Sequence, residues 1–195
     1  MNSTTARARR TTAYPASARS ALRSATHDIH QRMHHHPALS RLAAGTISRD
    51  EYRRVLARSY GFYIIAEPAL GFAGKLTDCL FLDLAELGMM PAAIAVLPRW
   101  AASAFGQHPS ALIGARYVLL GASLGGKVMA RAIAGRTGSD GAMPVRFLTG
   151  MGENDWKAFA SRLETDLPDA ASRKRAATAA SAMFVAYENW LAWRE

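Results

Sequence analysis

Five of the chain's six histidines, His27, His30, His34, His35 and His36, fall within ten residues. A neutral imidazole is a good ligand for haem iron or for a bare transition metal. Helical spacing puts Leu22, Thr26, Ile29 and Met33 on one apolar stripe, with His30 at its edge and His27 turned further towards solvent. From position alone, His30 suits either a ligand held between helices or a surface histidine flanking the core. The His34-His35-His36 run has no carboxylate or cysteine at helical spacing to complete a metal site, so a solvated helix end is the simpler reading.

A second unusual set is glycine. Gly114, Gly121, Gly125 and Gly126 lie inside an otherwise helical pattern, each costing about 1 kcal/mol against alanine. Gly114, Gly121 and Gly125 share one side of that helix, where missing Cβ atoms would leave a flat, bendable trough. The same pattern also suits tight helix–helix packing.

These residues need helices to position them, and the periodicity is helical nearly throughout. The pattern predicts a first helix from about Ser20 to His36, ended by Pro37, and a second opened by the Ser48/Glu51 capping box and running to about Glu67. A shorter helix follows to Leu76. Another, capped by Asp78, ends at Gly88, and Pro91 and Pro98 punctuate a looser connection. A long Gly-rich helix runs from Ser110 to Gly135, residues 136–152 read as mostly loop, and Asn154 or Asp155 and then Asp169 cap the last two helices. No useful strand alternation or repeat is present. The expectation is all-α, one domain of seven or eight helices over 20–195, after a flexible basic tail over 1–19.

The chain has 195 residues, half of them apolar, and a formal net charge of +9, ample for one packed core. Arg7, Arg9, Arg10 and Arg19 carry much of that excess in the tail. The other cations do not cluster with aromatics as a nucleic-acid face requires, so no nucleic-acid partner is expected. Residues 112–128 are apolar, but Arg116 and Lys127 interrupt them, which favours a buried helix over a membrane span. One cysteine, Cys79, and no apolar leader point to a reducing, cytoplasmic setting.

Taken in order, several stretches resemble the haem oxygenase family. Leu22-Arg23-Ser24-Ala25-Thr26-His27-Asp28-Ile29-His30 is similar to its first helix, which ends in the proximal histidine. Tyr60-Gly61-Phe62-Tyr63 with Glu67 is similar to its second-helix pattern, Gly121-Ala122-Ser123-Leu124-Gly125-Gly126 to its distal helix, and Trp156-Lys157-Ala158-Phe159 to a later helix. The resemblance spans about residues 18–193.

It implies an all-helical fold with haem sandwiched between a proximal first helix and a kinked Gly-rich distal helix. By this resemblance His30 would ligate the iron, and Gly121 and Gly125 would form the distal wall, with Gly126 beside the haem. Tyr63 would order water near the bound oxygen, and Arg23 and Lys157 would hold the propionates. The implied activity is oxidative opening of haem, both substrate and cofactor, by O2 to biliverdin, CO and ferrous iron. Electrons would come from an external reductase or ferredoxin, and a biliverdin-accepting protein would be a further partner. Two positions depart from the pattern. Ala122 stands where animal members carry Asp, and His34 where many relatives carry Glu. The departures keep a non-catalytic haem carrier or sensor of the same fold as the alternative. A di-iron oxidase on a similar scaffold would need a carboxylate–histidine partner set that Glu67 lacks.

Overall fold

A computed structural model describes residues 17–101, 106–134 and 142–192, and every regular element among them is an α-helix. The first, α1 (Ala18–His34), buries Leu22, Thr26, Ile29 and Met33, the stripe read from the sequence. The Ser17 hydroxyl caps it by accepting from the Ser20 amide at 3.1 Å. It thus begins inside the segment expected to be tail, and Arg19 belongs to a helix. Residues 1–16 of that tail lie outside the described residues.

Pro37 ends α1 as expected and then opens a short helix that the pattern did not suggest, α2 (Pro37–Ala43). Proline suits a first helical position, because its missing N–H would have had no partner there. In α3 (Arg49–Ala69) the Ser48 hydroxyl accepts from the Glu51 amide at 3.2 Å. The expected box is only half made, since the Glu51 carboxylate turns to the Arg41 guanidinium instead.

The predicted short helix ending at Leu76 is absent. Gly71 and Gly74 adopt φ of 73° and 76°, left-handed values that break a helix. The next helix, α4 (Lys75–Glu86), is capped from outside by the buried Glu67 carboxylate, which accepts from the amides of Leu76 (3.0 Å) and Thr77 (2.7 Å). Asp78 therefore lies in the first turn of α4 and is not its cap. After Gly88, at φ 85°, comes a single short helix, α5 (Pro91–Ala95).

The long helix α6 (Pro109–Ala134) is helical throughout, glycines included. Length and composition alone would let it cross a membrane; here it packs on α2 and on three later helices. These are α7 (Arg146–Thr149), inside the segment expected to be loop, α8 (Glu153–Asp166) and α9 (Ala170–Ala192). Asp169 caps α9 as expected, accepting from the Ser172 amide at 2.7 Å.

Small side chains make α9 the central support. Ala176, Ala177, Ala179, Ala180 and Met183 are buried along it. Both α1 and α6 pack extensively against it, yet they hardly touch each other.

Candidate functional site

The gap between α1 and α6 is a cavity of about 750 Å³, within the range of about 300–1,000 Å³ typical of small-molecule and cofactor sites. Arg23, His27, His30 and His34 follow one another at helical spacing along the α1 wall. The facing α6 wall carries Gly121, Ala122, Leu124, Gly125 and Met129. Phe62 and Tyr63 from α3, Phe147 from α7 and Phe184 and Tyr187 from α9 complete an aromatic interior.

His30 projects from the exposed side of α1 into this space. Its ring meets the His34 ring edge-on (centroids 4.5 Å, interplanar angle 80°) and approaches Phe184 similarly at 6.1 Å. Partial burial, then the charges of His34 and His27, hold its pKa below the usual 6.5. The group therefore favours the neutral form, whose ring nitrogen can ligate a metal.

The four glycines separate into two classes. A Cβ on Gly125 would meet nothing within 4 Å, and one on Gly121 would touch only the Trp156 ring, at 3.6 Å. These two form an open strip on the cavity wall. A Cβ on Gly114 would stand 1.9 Å from the Ala176 carbonyl oxygen, and one on Gly126 would stand 2.4 Å from that of Leu148. Gly114 and Gly126 are glycine because α9 and α7 press against the helix there. The trough expected at Gly114, Gly121 and Gly125 is thus confined to the last two. Gly126 lines the cavity, but its missing Cβ makes room for backbone.

Arg23 reaches the cavity rim with Arg19, and neither forms an ion pair among the described residues. Lys157 is not brought there. Its ammonium pairs with Glu153, 2.8 Å away on the same helix, and it is largely exposed. The reason is local: neighbouring helical residues point about 100° apart, and Trp156 takes the inward direction.

Tyr63 is buried, and burial followed by the proximity of Tyr187 and Glu67 pushes its phenol well above 10. Tyr187, which the sequence did not single out, is pushed up to about 12 by burial, partly offset by a hydrogen bond with Ser59. The two hydroxyl oxygens are 2.9 Å apart. Met183, Phe184, Tyr187 and Trp190 follow at i, i+1, i+4 and i+7 on the last helix, the one sequence signal that could have marked Tyr187 as inward.

A second unanticipated group supports the floor. The buried Asp83 carboxylate accepts from the amides of Arg146 (3.3 Å) and Phe147 (2.9 Å) and from the Arg146 guanidinium (3.0 Å). Burial raises its pKa above 3.8 despite these bonds. Asp83 thereby fixes α7, whose Phe147 ring stands edge-on to Tyr63 at 5.2 Å.

No group of three or more His, Cys, Asp or Glu among the described residues could hold a bare metal ion. The arrangement instead fits a flat, apolar, doubly anionic metal macrocycle. It offers one neutral imidazole, a facing strip without Cβ atoms and cations confined to the rim.

The comparisons with known proteins agree with this fit. Residues 16–73 match the family model described as heme oxygenase. No curated protein matches the chain. The matched segment contains Arg23, His30 and Tyr63, whereas Gly121, Gly125 and Lys157 lie beyond it. Over residues 16–73, the segment that carries His30, the chain is similar to the haem oxygenase family.

Proposed function

We propose that this protein binds haem between α1 and α6 and opens it oxidatively to biliverdin, CO and ferrous iron. O2 would be the oxidant and a separate reductase or ferredoxin the electron source. One observation carries the reading: a neutral-tending histidine and a glycine strip form the two walls of a single apolar cavity. When bound, haem supplies both the redox-active iron and the carbon that is oxidised. The chain's own residues do the rest. His30 would hold the iron through a neutral imidazole. Gly121 and Gly125 would leave the facing side open where larger side chains would fill it. Arg23 would sit by a propionate and bias which edge of the ring faces inward. Tyr63, a very weak acid in its buried setting, can orient water without being a ready proton source. That property suits oxidation of the ring itself, because strong proton delivery would favour cleavage of the O–O bond.

The decisive experiment mixes the purified protein with hemin, follows the Soret band, and then adds ascorbate in air. Decay of that band with growth of the red biliverdin absorption is the expected result. A persistent band would instead identify a haem carrier or sensor. Two observations favour that second reading: the His34 ring, rather than a carboxylate, lies against His30, and Ala122 gives the α6 wall no acid. The lone Cys79 suits a reducing compartment, and we place the activity in the cytoplasm, with biliverdin passed to a separate acceptor.

A further inference from the structure

His30 and His34 stand at i and i+4 on α1, one turn apart on the same face, and both line the cavity. Their ring centroids are 4.5 Å apart. Two imidazoles that bind one ion at a right angle, each with a metal–nitrogen bond of about 2.0–2.1 Å, hold their centroids about 4.5 Å apart. A right angle between nitrogens suits the tetragonal shells of Ni2+ and Cu2+, and imidazole is a ligand that iron also accepts. Both residues are exposed, and neither ring makes a hydrogen bond among the described residues. Each is therefore free to turn a nitrogen towards a common point.

The neighbouring histidines do not offer this pairing. His35 and His36 lie past the end of α1. His27 is seven residues before His34, about 10 Å along the helix axis, and no three-residue ligand set forms among the described residues. Two protein ligands are fewer than a structural ion takes, so water must fill the rest of the shell and the ion must exchange readily. We propose that His30 and His34 form an exchangeable site for a divalent transition-metal ion, and that this ion and haem exclude each other because both require His30. One consequence rests on the haem reading above; the site itself does not. The pair would hold the ferrous ion freed when the ring opens, with His34 supplying a second bond as those of the macrocycle are lost.

The test is a calorimetric titration of the haem-free protein, carrying no affinity tag, with Ni2+. One ion per chain should bind. His30→Ala and His34→Ala should each weaken it by at least about tenfold, or about 1.4 kcal/mol, whereas His35→Ala should leave it unchanged. All three variants should keep the melting temperature of the parent, which separates lost ligation from lost folding. With Cu2+, electron paramagnetic resonance should resolve two nitrogen ligands in the parent and one in His34→Ala. Loading the cavity with hemin should abolish Ni2+ binding. Binding that survives His34→Ala, or that falls equally in His35→Ala, overturns the site. Binding that persists beside hemin overturns the exclusion. Failure to bind hemin at all would overturn the proposed function and leave the Ni2+ titration standing.

Discussion

His30 lies on the exposed side of α1, so truncating it removes only edge contacts with the His34 and Phe184 rings. His30→Ala should leave the apo melting temperature within about 1–2 °C of the parent, as for a surface substitution worth at most about 0.5 kcal/mol. It should also remove the iron's protein ligand, and added imidazole should restore a six-coordinate spectrum. A variant that kept the parent spectrum unaided would transfer the ligand role to His34, whose ring is the nearest alternative. The rim separates two cations that looked equivalent in the sequence. Arg23 faces the cavity and Lys157 is paired with Glu153 outside it. A partly solvated ion pair is worth about 0.5–1 kcal/mol, so Arg23→Ala should weaken hemin binding several-fold and broaden the mixture of biliverdin isomers. Lys157→Ala should change neither, and titration plus product chromatography checks both. The placing of His30, Gly121 and Gly125 on inward faces was legible because each depends on helical spacing within one element, whereas Arg23 was marked only by the family resemblance. Tyr187 was not legible, because the hydrogen bond that holds its hydroxyl is made with Ser59, 128 residues earlier in the chain.

At the scale of the helix, glycine substitutions in α6 should give opposite results according to what faces them. Gly125→Leu points into open space and replaces a poor helix former with a better one, a gain of about 0.5–1 kcal/mol. Apo stability should hold or rise while hemin binding falls. Gly114→Ala instead drives a methyl group against the Ala176 backbone oxygen. Overpacking of that kind costs about 1–3 kcal/mol, so the melting temperature should drop by several degrees with hemin affinity per folded molecule unchanged. Matching losses of stability in both variants would contradict the division. Sequence spacing put Gly114 with Gly121 and Gly125; only the position of α9 separates them. The end of α3 carries the same lesson. The pattern ran a short helix across Gly71 and Gly74, and it did not show the capping of α4 by Glu67, because that cap crosses a turn whose path local periodicity does not encode.

Across the whole molecule, three carboxylates tie distant segments together, and each titrates below the usual 4.5. Glu51 holds Arg41, linking α3 to α2. Glu164 of α8 accepts from the amides of Ala18 and Arg19 at the start of α1. Glu188 of α9 makes two 2.7 Å bonds to Arg32 of α1. A depressed folded pKa means that the stabilisation is present above about pH 4.5 and is lost as pH falls through the lowered values. Asp83 has the opposite sign, since its raised pKa lets the fold gain as pH falls towards 3.8. The three outnumber it, so the net expectation is loosening of α1 in acid. Amide hydrogen exchange from pH 6 down to pH 3 should show α1 losing protection before α6. In Glu164→Gln the first turn of α1 should exchange early at every pH. Uniform loss across all helices would show that these ties do not govern acid stability.

The support of both cavity walls by α9 has a consequence for synthesis. Residues 18–34 leave the ribosome about 150 residues before the helix they pack against, and α6 waits for the same partner. At about 5–20 residues per second, α1 remains without that docking surface for roughly 8–30 s. Contacts between such distant segments also form late, because long loops must close first. The segment matching the haem oxygenase family therefore emerges early but acquires its binding geometry last. A chain released before α9 would expose the apolar stripe of α1 together with its histidines, presenting a sticky surface to chaperones and to any haem within reach.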